Sequence, residues 1–465
     1  MSTTTLTGIC DLDAHAQADL VHRGEVTPKE LVEAAFQRIE QLNPVLNAVS
    51  HVATDHAFAA AEAMDRDAPM AGVPCLLKAS MEYPGFPHVS GSRTRKDAIG
   101  QTKYPFAEKM EAAGLIPSGI TTMPEFGLIG SGEALVYGPT HNPWNTAHGA
   151  GGSSSGAGVA VASGMVPFAT GSDGGGSIRI PASHTGTVGF KPSRNWNLRS
   201  RGPGLMDDLL ASDGLLARSM RDAVWAAQTL RTQPPEEVLI QKPLRIALNL
   251  TGIDGAPPEA QIADIITRTA QLCEDLGHHV QDVGPLMDMD AIGQAFDVLW
   301  SYGAGEAVDL CRAKLGATAD TLLEPWSLGL AARRSDHTPD DLARALAMVG
   351  RIDQALDLFW NEYDVVLSPV TSNPPPPLRV LAPDRDFDAL WRDHFRHVNY
   401  TQFQNMAGYP GISLPLFECA EGLPAGSMFW GPHGADDLLL ALGCQLEMAC
   451  PWSGRRPPML VKPGP

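Results

Sequence analysis

From Gly151 to Pro192 the chain reads GGSSSGAGVAVASGMVPFATGSDGGGSIRIPASHTGTVGFKP. Two serine clusters, each wrapped in glycine, flank a segment made of small and apolar residues. Glycine and serine are the usual residues of flexible linkers. Here, however, Val159, Val161, Met165, Val166, Phe168, Ile178 and Ile180 interleave with them and require burial. The small side chains of GAGVAVASG suit a helix that lies close against its neighbours, and MVPFATGSD reads as a buried strand. Each serine cluster therefore falls at an element boundary, where glycines let backbone N–H groups converge and hydroxyls can act as nucleophile or proton relay.

The surrounding pattern alternates helix and strand, which argues an α/β fold. Thr27, Pro28 and Glu30 predict a capped helix start, and Leu31, Ala34, Ala35, Ile39 and Leu42 recur at helical spacing behind them. Residues 57–66 read as a second helix and 104–114 as a third. GVPCLLKAS (72–80) reads as a buried strand that ends on a lysine, Lys78, and residues 115–127 as a strand running into a loop. Residues 244–250 and 278–283 read as strands around a helix at 262–277. Residues 287–362 are mostly helical in pattern, 363–370 a strand, and NPPPP (373–377) a rigid turn. Strand 411–417 and helix 435–449 close the chain. With no long Gly/Ser or Pro-rich run to divide it, the whole of 1–465 is expected to be one domain: a core at 70–235, a variable α/β lobe at 240–395 and a return to the core at 396–465.

A formal charge of −19 disfavours phosphate backbones and anionic membranes, so neither nucleic acid nor membrane is an expected partner. The seven cysteines are odd in number, widely spaced and lack C-x-x-C pairs, which argues against a disulfide scaffold or a zinc site. Neither an export segment nor an apolar run of spanning length is legible, and a cytoplasmic protein is expected.

Two motif readings of the glycine-serine region fail on context. Gly152-Ser-Ser-Ser-Gly156 matches a nucleophile elbow centred on Ser154, but that turn needs a buried strand before it, and THNPWNTAHGAG (140–151) is polar and broken by Pro143. GSDGGGS (171–177) could be an anion nest, but no Gly-Lys-Ser/Thr follows it. The arrangement that remains joins Lys78 to both serine clusters. In order and spacing, GGSS at 151–154, GSD at 171–173, GGSIRIPAS at 175–183 and GFKPS at 189–193 resemble the amidase signature family. TTMPEFG (121–127), YGPTHNPWN (137–145), LLARSMRDA (215–223) and NMAGYPGISLP (405–415) extend the resemblance, which covers 10–230 and 395–455 well and 235–395 only in outline.

The resemblance implies a central mixed twisted sheet covered by helices on both faces. It also implies a Ser-cisSer-Lys triad in which Ser177 is the nucleophile, Ser153 the bridging serine and Lys78 the general base. Gly174, Gly175, Gly176 and Ser177 would supply oxyanion-hole N–H groups, with Ser154, Asp173 and Arg179 as supports. The chemistry makes sense independently of the name: a serine hydroxyl attacks a carbonyl well only if its proton leaves in step, and a hydroxyl relay to a neutral amine provides that path. Lysine ionises near 10.4, so a neutral Lys78 near pH 7 needs a depression of about three units, roughly 4 kcal/mol. Burial beside hydroxyls is a suitable cause.

Departures from the family pattern are Ala79-Ser80 where an aspartate usually follows the lysine, Ser155 where a glycine follows the serine pair, and His184-Thr185 where an aromatic and a cysteine are common. None removes a reacting group. The expected activity is hydrolysis of a small neutral amide, anilide or carbamate, without cofactor or metal, by a monomer or homodimer. A glutaminase subunit of a tRNA-dependent amidotransferase and a non-catalytic scaffold are the alternatives. Specificity walls are expected from 195–215 and 295–345.

Overall fold

The computed structural model describes residues 6–202, 204–234 and 240–461, so the boundary between the expected core and lobe at 235–239 lies outside the described residues. Eleven strands form one sheet: β1 (Val49–Val52), β2 (Val73–Lys78), β3 (Leu115–Thr121), β4 (Phe168–Asp173), β5 (Val188–Lys191), β6 (Ser212–Ala217), β7 (Arg245–Leu248), β8 (His279–Asp282), β9 (Val365–Pro369), β10 (Gly411–Glu418) and β11 (Pro424–Trp430). Their order is β1-β3-β2-β4-β6-β5-β10-β11-β9-β7-β8. β3-β2-β4 and β9-β7-β8 run parallel, while the centre from β4 through β6, β5, β10 and β11 to β9 is antiparallel. The helices that matter for the site are α1 (Pro28–Leu46), α2 (Ser155–Ala162), α3 (Arg179–Thr185), α4 (Ala260–Asp275), α5 (Met289–Leu315), α6 (Pro325–Arg333), α7 (Pro339–Glu362), α8 (Phe387–His397), α9 (Gln402–Ala407) and α10 (Asp436–Ala449).

Strand alternation sends successive side chains to opposite faces, and the buried clusters follow it. Val73, Cys75 and Leu77 of β2 and Val365 and Leu367 of β9 join a core that α4 and α10 cover. Leu76 and Ala169 pack on the other side with α2, and Val366, Met428 and Trp430 do so with α5 and α7. The sheet is therefore covered on both faces.

Local chemistry explains the elements nearest the site. α1 starts as expected: Thr27 accepts from the Glu30 N–H and the Glu30 carboxylate accepts from the Thr27 N–H. α2 is buried on every side, and its small residues permit this. A Cβ built on Gly156 would stand 2.2 Å from the Ala48 carbonyl oxygen. Four strands, at 49–52, 188–191, 212–217 and 424–430, are not legible in the sequence pattern. The last begins at Pro424 and holds Gly426 and Ser427, residues that read as a turn, yet tertiary pairing with β10 and β9 makes it an interior strand. Among the described residues no helix is long and apolar enough to cross a membrane.

Candidate active site

β2 and β4 are parallel neighbours, and their carboxyl ends deliver Lys78 and Ser172-Asp173 to one place, the usual location of ligand sites in open α/β sheets. Every residue of β2 is buried, Lys78 included, at 2% exposure. Its backbone N–H donates to Thr170 Oγ1 at 2.7 Å. Its ammonium nitrogen lies 2.8 Å from Ser153 Oγ, 2.9 Å from Ser172 Oγ and 3.3 Å from the Ser172 carbonyl oxygen. Burial lowers the Lys78 pKa to about 7, with the Arg201 guanidinium adding to the effect and Asp173 and Asp213 opposing it. The partners are hydroxyls and a carbonyl, which serve a neutral amine as well as a charged one.

Ser153 follows a cis peptide bond after Gly152. The adjacent Ser154 holds the two serine clusters together: its N–H donates to the Ser177 carbonyl at 3.1 Å, and its hydroxyl accepts from the Ser172 N–H at 3.4 Å. Ser155 begins α2, with its hydroxyl on the Thr122 carbonyl at 3.4 Å. Ser177 lies just ahead of α3 and is 8% exposed, lining a small cavity with Gly127, Gly130, Gly175, Phe296 and Gln402.

The loop between β4 and α3 is held by a buried ion pair. Arg179 and Asp173 meet through two N–H···O contacts of 2.9 Å, and neither side chain is exposed. Arg179 also donates to Gln404, Asn405 and the Thr401 carbonyl, while Asn405 returns an N–H to Asp173 at 3.0 Å. Burial alone would raise the Asp173 pKa, but Arg179 holds this carboxyl well below the usual range. Asp173 Oδ1 in turn accepts the Gly176 N–H at 2.7 Å. The four-donor expectation for residues 174–177 is thereby reduced, because the Gly176 N–H is committed to the carboxylate. Among the described residues no group accepts from the N–H of Gly174, Gly175 or Ser177. Gly176 itself has φ +124°, and a Cβ there would stand 2.3 Å from Thr401 Oγ1, so the position requires glycine.

Sequence reasoning placed Lys78, Ser153, Ser154, Asp173, Ser177 and Arg179 in one region, and the fold brings them together. It missed Ser172 and Thr170, which lie inside the quoted motif and point at Lys78 through strand alternation. It also missed Gln404 and Gln402 on α9, for which no local signal exists, and the role of Asn405, although that residue opens the quoted NMAGYPGISLP. Of the expected specificity walls, 295–345 supplies Phe296 and Trp300 to the cavity that Ser177 lines. From the expected 195–215, Ala211 lies beside the loop, its Cβ 3.9 Å from where a Cβ on Gly174 would stand. The walls are completed by 127–130 and 391–402. His184 is core, with both ring nitrogens buried and unpartnered among the described residues. Among those residues no group of three His, Cys, Asp or Glu side chains is arranged to hold a metal ion.

The profile of the Amidase family matches residues 30–440. AmiC of Mycobacterium tuberculosis, named as an amidase, is 34% identical over 464 residues, covering 97% of each chain. An acylamidase of Rhodococcus erythropolis is 29% identical over 472 residues, covering 96% of this chain and 97% of its own. The solved structure of a 6-aminohexanoate cyclic dimer hydrolase complexed with substrate superposes with a TM-score of 0.87 at 28% identity, covering 97% of this chain and 99% of that one.

Proposed function

The chain belongs to the amidase family and is a hydrolase of amide bonds, and from that premise we propose that Ser177, Ser153 and Lys78 cleave a small neutral amide, anilide or carbamate through an acyl-enzyme. The observation that carries the reading is the 2.8 Å contact between Lys78 Nζ and Ser153 Oγ at a lysine whose burial brings its pKa to about 7. Neutral Lys78 takes the Ser153 proton as Ser153 takes that of Ser177, and Ser177 Oγ attacks the carbonyl. The N–H groups of Gly174, Gly175 and Ser177 receive the developing oxyanion, each worth about 2.7–4 kcal/mol in the transition state. The relay then runs backwards to protonate the departing amine. Water enters, loses a proton through the same hydroxyls, and releases the acid. The chamber beside Ser177 has aromatic walls and the deep charges are paired, which supports a neutral substrate.

A fluorophosphonate probe tests the reading directly. A single adduct on Ser177, found by intact mass and peptide mapping and lost in Lys78→Ala, is the expected result. Ser177→Ala should lower kcat by roughly 10⁴-fold or more. Retained turnover in that variant, an adduct on Ser154, or no adduct overturns the assignment. Turnover by the purified chain alone separates a free amidase from a glutaminase subunit that works with a partner.

A further inference from the structure

The loop from Gly127 to Gly130 forms one wall of the Ser177 cavity, and His394 of α8 lines the same cavity. The near end of this loop is anchored without His394. The Gly127 N–H donates to the Pro124 carbonyl at 3.0 Å and that of Leu128 to the Glu125 carbonyl at 3.1 Å, while the Leu128 carbonyl accepts from Trp300 and Trp326. At the far end the Gly130 N–H donates to His394 Nε2 at 2.8 Å. Gly130 is seated tightly there: a Cβ on it would stand 2.6 Å from Val398 Cγ1 and 3.2 Å from His394 Nε2.

This hydrogen bond fixes the tautomer of His394. A ring nitrogen that accepts an N–H carries a lone pair, so the ring proton sits on Nδ1. Nδ1 is buried and has no partner among the described residues. The ring is 6% exposed and meets Trp326 and Phe395 edge-on, with centroids 5.1 and 5.6 Å away. An apolar side chain would fill such an aromatic nest without leaving a buried N–H unsatisfied. What histidine adds there is one acceptor, and the Gly130 N–H takes it. Burial, with His397 beside it, pushes the His394 pKa down to about 3, so the ring stays neutral near pH 7.

We propose that His394 is a positioning residue for the Ser177 site: by accepting the Gly130 N–H through Nε2 it holds the far end of the 127–130 wall, and so sets how tightly the substrate is bound beside Ser177. The reacting groups have other supports. Lys78 is held by Ser153 and Ser172, and the 174–177 loop by Asp173 with Arg179. Loss of the acceptor therefore weakens binding in the ground and transition states alike, which raises KM and spares kcat. The inference rests on the amidase reading above.

The test sets the wild type beside His394→Gln, whose side-chain oxygen reaches about as far as Nε2, and His394→Leu, which has no acceptor, on one 4-nitroanilide substrate. His394→Leu should raise KM by roughly tenfold with kcat within about threefold of wild type, and His394→Gln should bring KM back to within about threefold. An unchanged KM in His394→Leu overturns the inference, as does a loss carried by kcat, or a Gln variant as impaired as the Leu variant. Nitrogen-15 spectra of the histidine rings give a reading independent of kinetics. The ring signal that disappears in His394→Gln should be that of a neutral ring protonated on Nδ1; a signal of the opposite tautomer or of an imidazolium overturns the inference alone. A wild type that neither cleaves the anilide nor gives a fluorophosphonate adduct on Ser177 overturns the amidase reading and this inference with it.

Discussion

At the scale of single residues the site depends on two buried charges treated in opposite ways. Lys78 is surrounded by hydroxyls and loses its proton near pH 7 because burial disfavours the ammonium form. In the proposed relay the neutral amine is the base, so kcat/KM should rise with pH, reach half its maximum near pH 7, and fall tenfold per unit below that. A profile flat from pH 5 to 9 would show that Lys78 is not the base. Asp173 instead keeps its charge, compensated by Arg179. Asp173→Asn leaves the guanidinium buried without its counter-charge and should lower stability by about 3–5 kcal/mol, read by denaturant titration. A loss below 1 kcal/mol would mean that the neighbouring amides and carbonyls hold Arg179 on their own.

At the scale of elements, α2 shows tertiary contact overriding propensity. Alanine is a better helix former than glycine by about 1 kcal/mol. Gly156→Ala should nevertheless destabilise the protein by roughly 1–3 kcal/mol, because its methyl would meet the Ala48 carbonyl at 2.2 Å. Gly350 on α7 is exposed, with nothing within 4 Å of a built Cβ, so Gly350→Ala should stabilise by about 0.5–1 kcal/mol. Thermal melts of the two variants should move in opposite directions. The crowding at Gly156 fits its place: α2 begins one residue after Ser154, and its approach to the sheet brings Ser153 within reach of Lys78.

At the scale of the whole molecule, the helices of the 240–395 segment clamp a core loop that lines the Ser177 cavity. Trp300 and Trp326 both donate their indole N–H to the Leu128 carbonyl, at 3.1 and 3.0 Å. Glu125 accepts the Glu324 N–H at 2.9 Å, and the Glu324 carboxylate accepts that of Leu135 at 2.7 Å. Burial, aided by the neighbouring Glu125, raises the Glu324 pKa to about 8. The folded form therefore keeps this proton where the unfolded chain has lost it. That contribution to stability is complete below the unfolded value near 4.5 and is lost as pH rises through about 8. Glu324→Gln keeps the acceptor and removes the titration, so its melting temperature should match wild type near pH 5 and exceed it by a few degrees near pH 9. Parallel pH dependences would show that Glu324 ionises freely in the folded protein.

The sequence by itself determined the α/β class, the capped start of α1, the strand ending on Lys78 and the grouping of Lys78, Ser153, Ser154, Asp173, Ser177 and Arg179. The first three were legible because each rests on local chemistry, such as a capping box or a lysine closing an apolar run, whereas the grouping came from the resemblance of the glycine-framed serine motif to the amidase signature family. Only the tertiary structure decided which backbone N–H groups of 174–177 are already bonded, since Asp173 claims that of Gly176 across a turn. It alone also brought Gln402 to the Ser177 cavity, and it picked out Phe296 and Trp300 from the expected 295–345. Polar residues on a short helix such as α9 carry no local signature of their role; packing against a distant loop confers it. The same holds for β11, whose Pro and Gly favour a turn until pairing on both edges supplies the hydrogen bonds that its composition conceals.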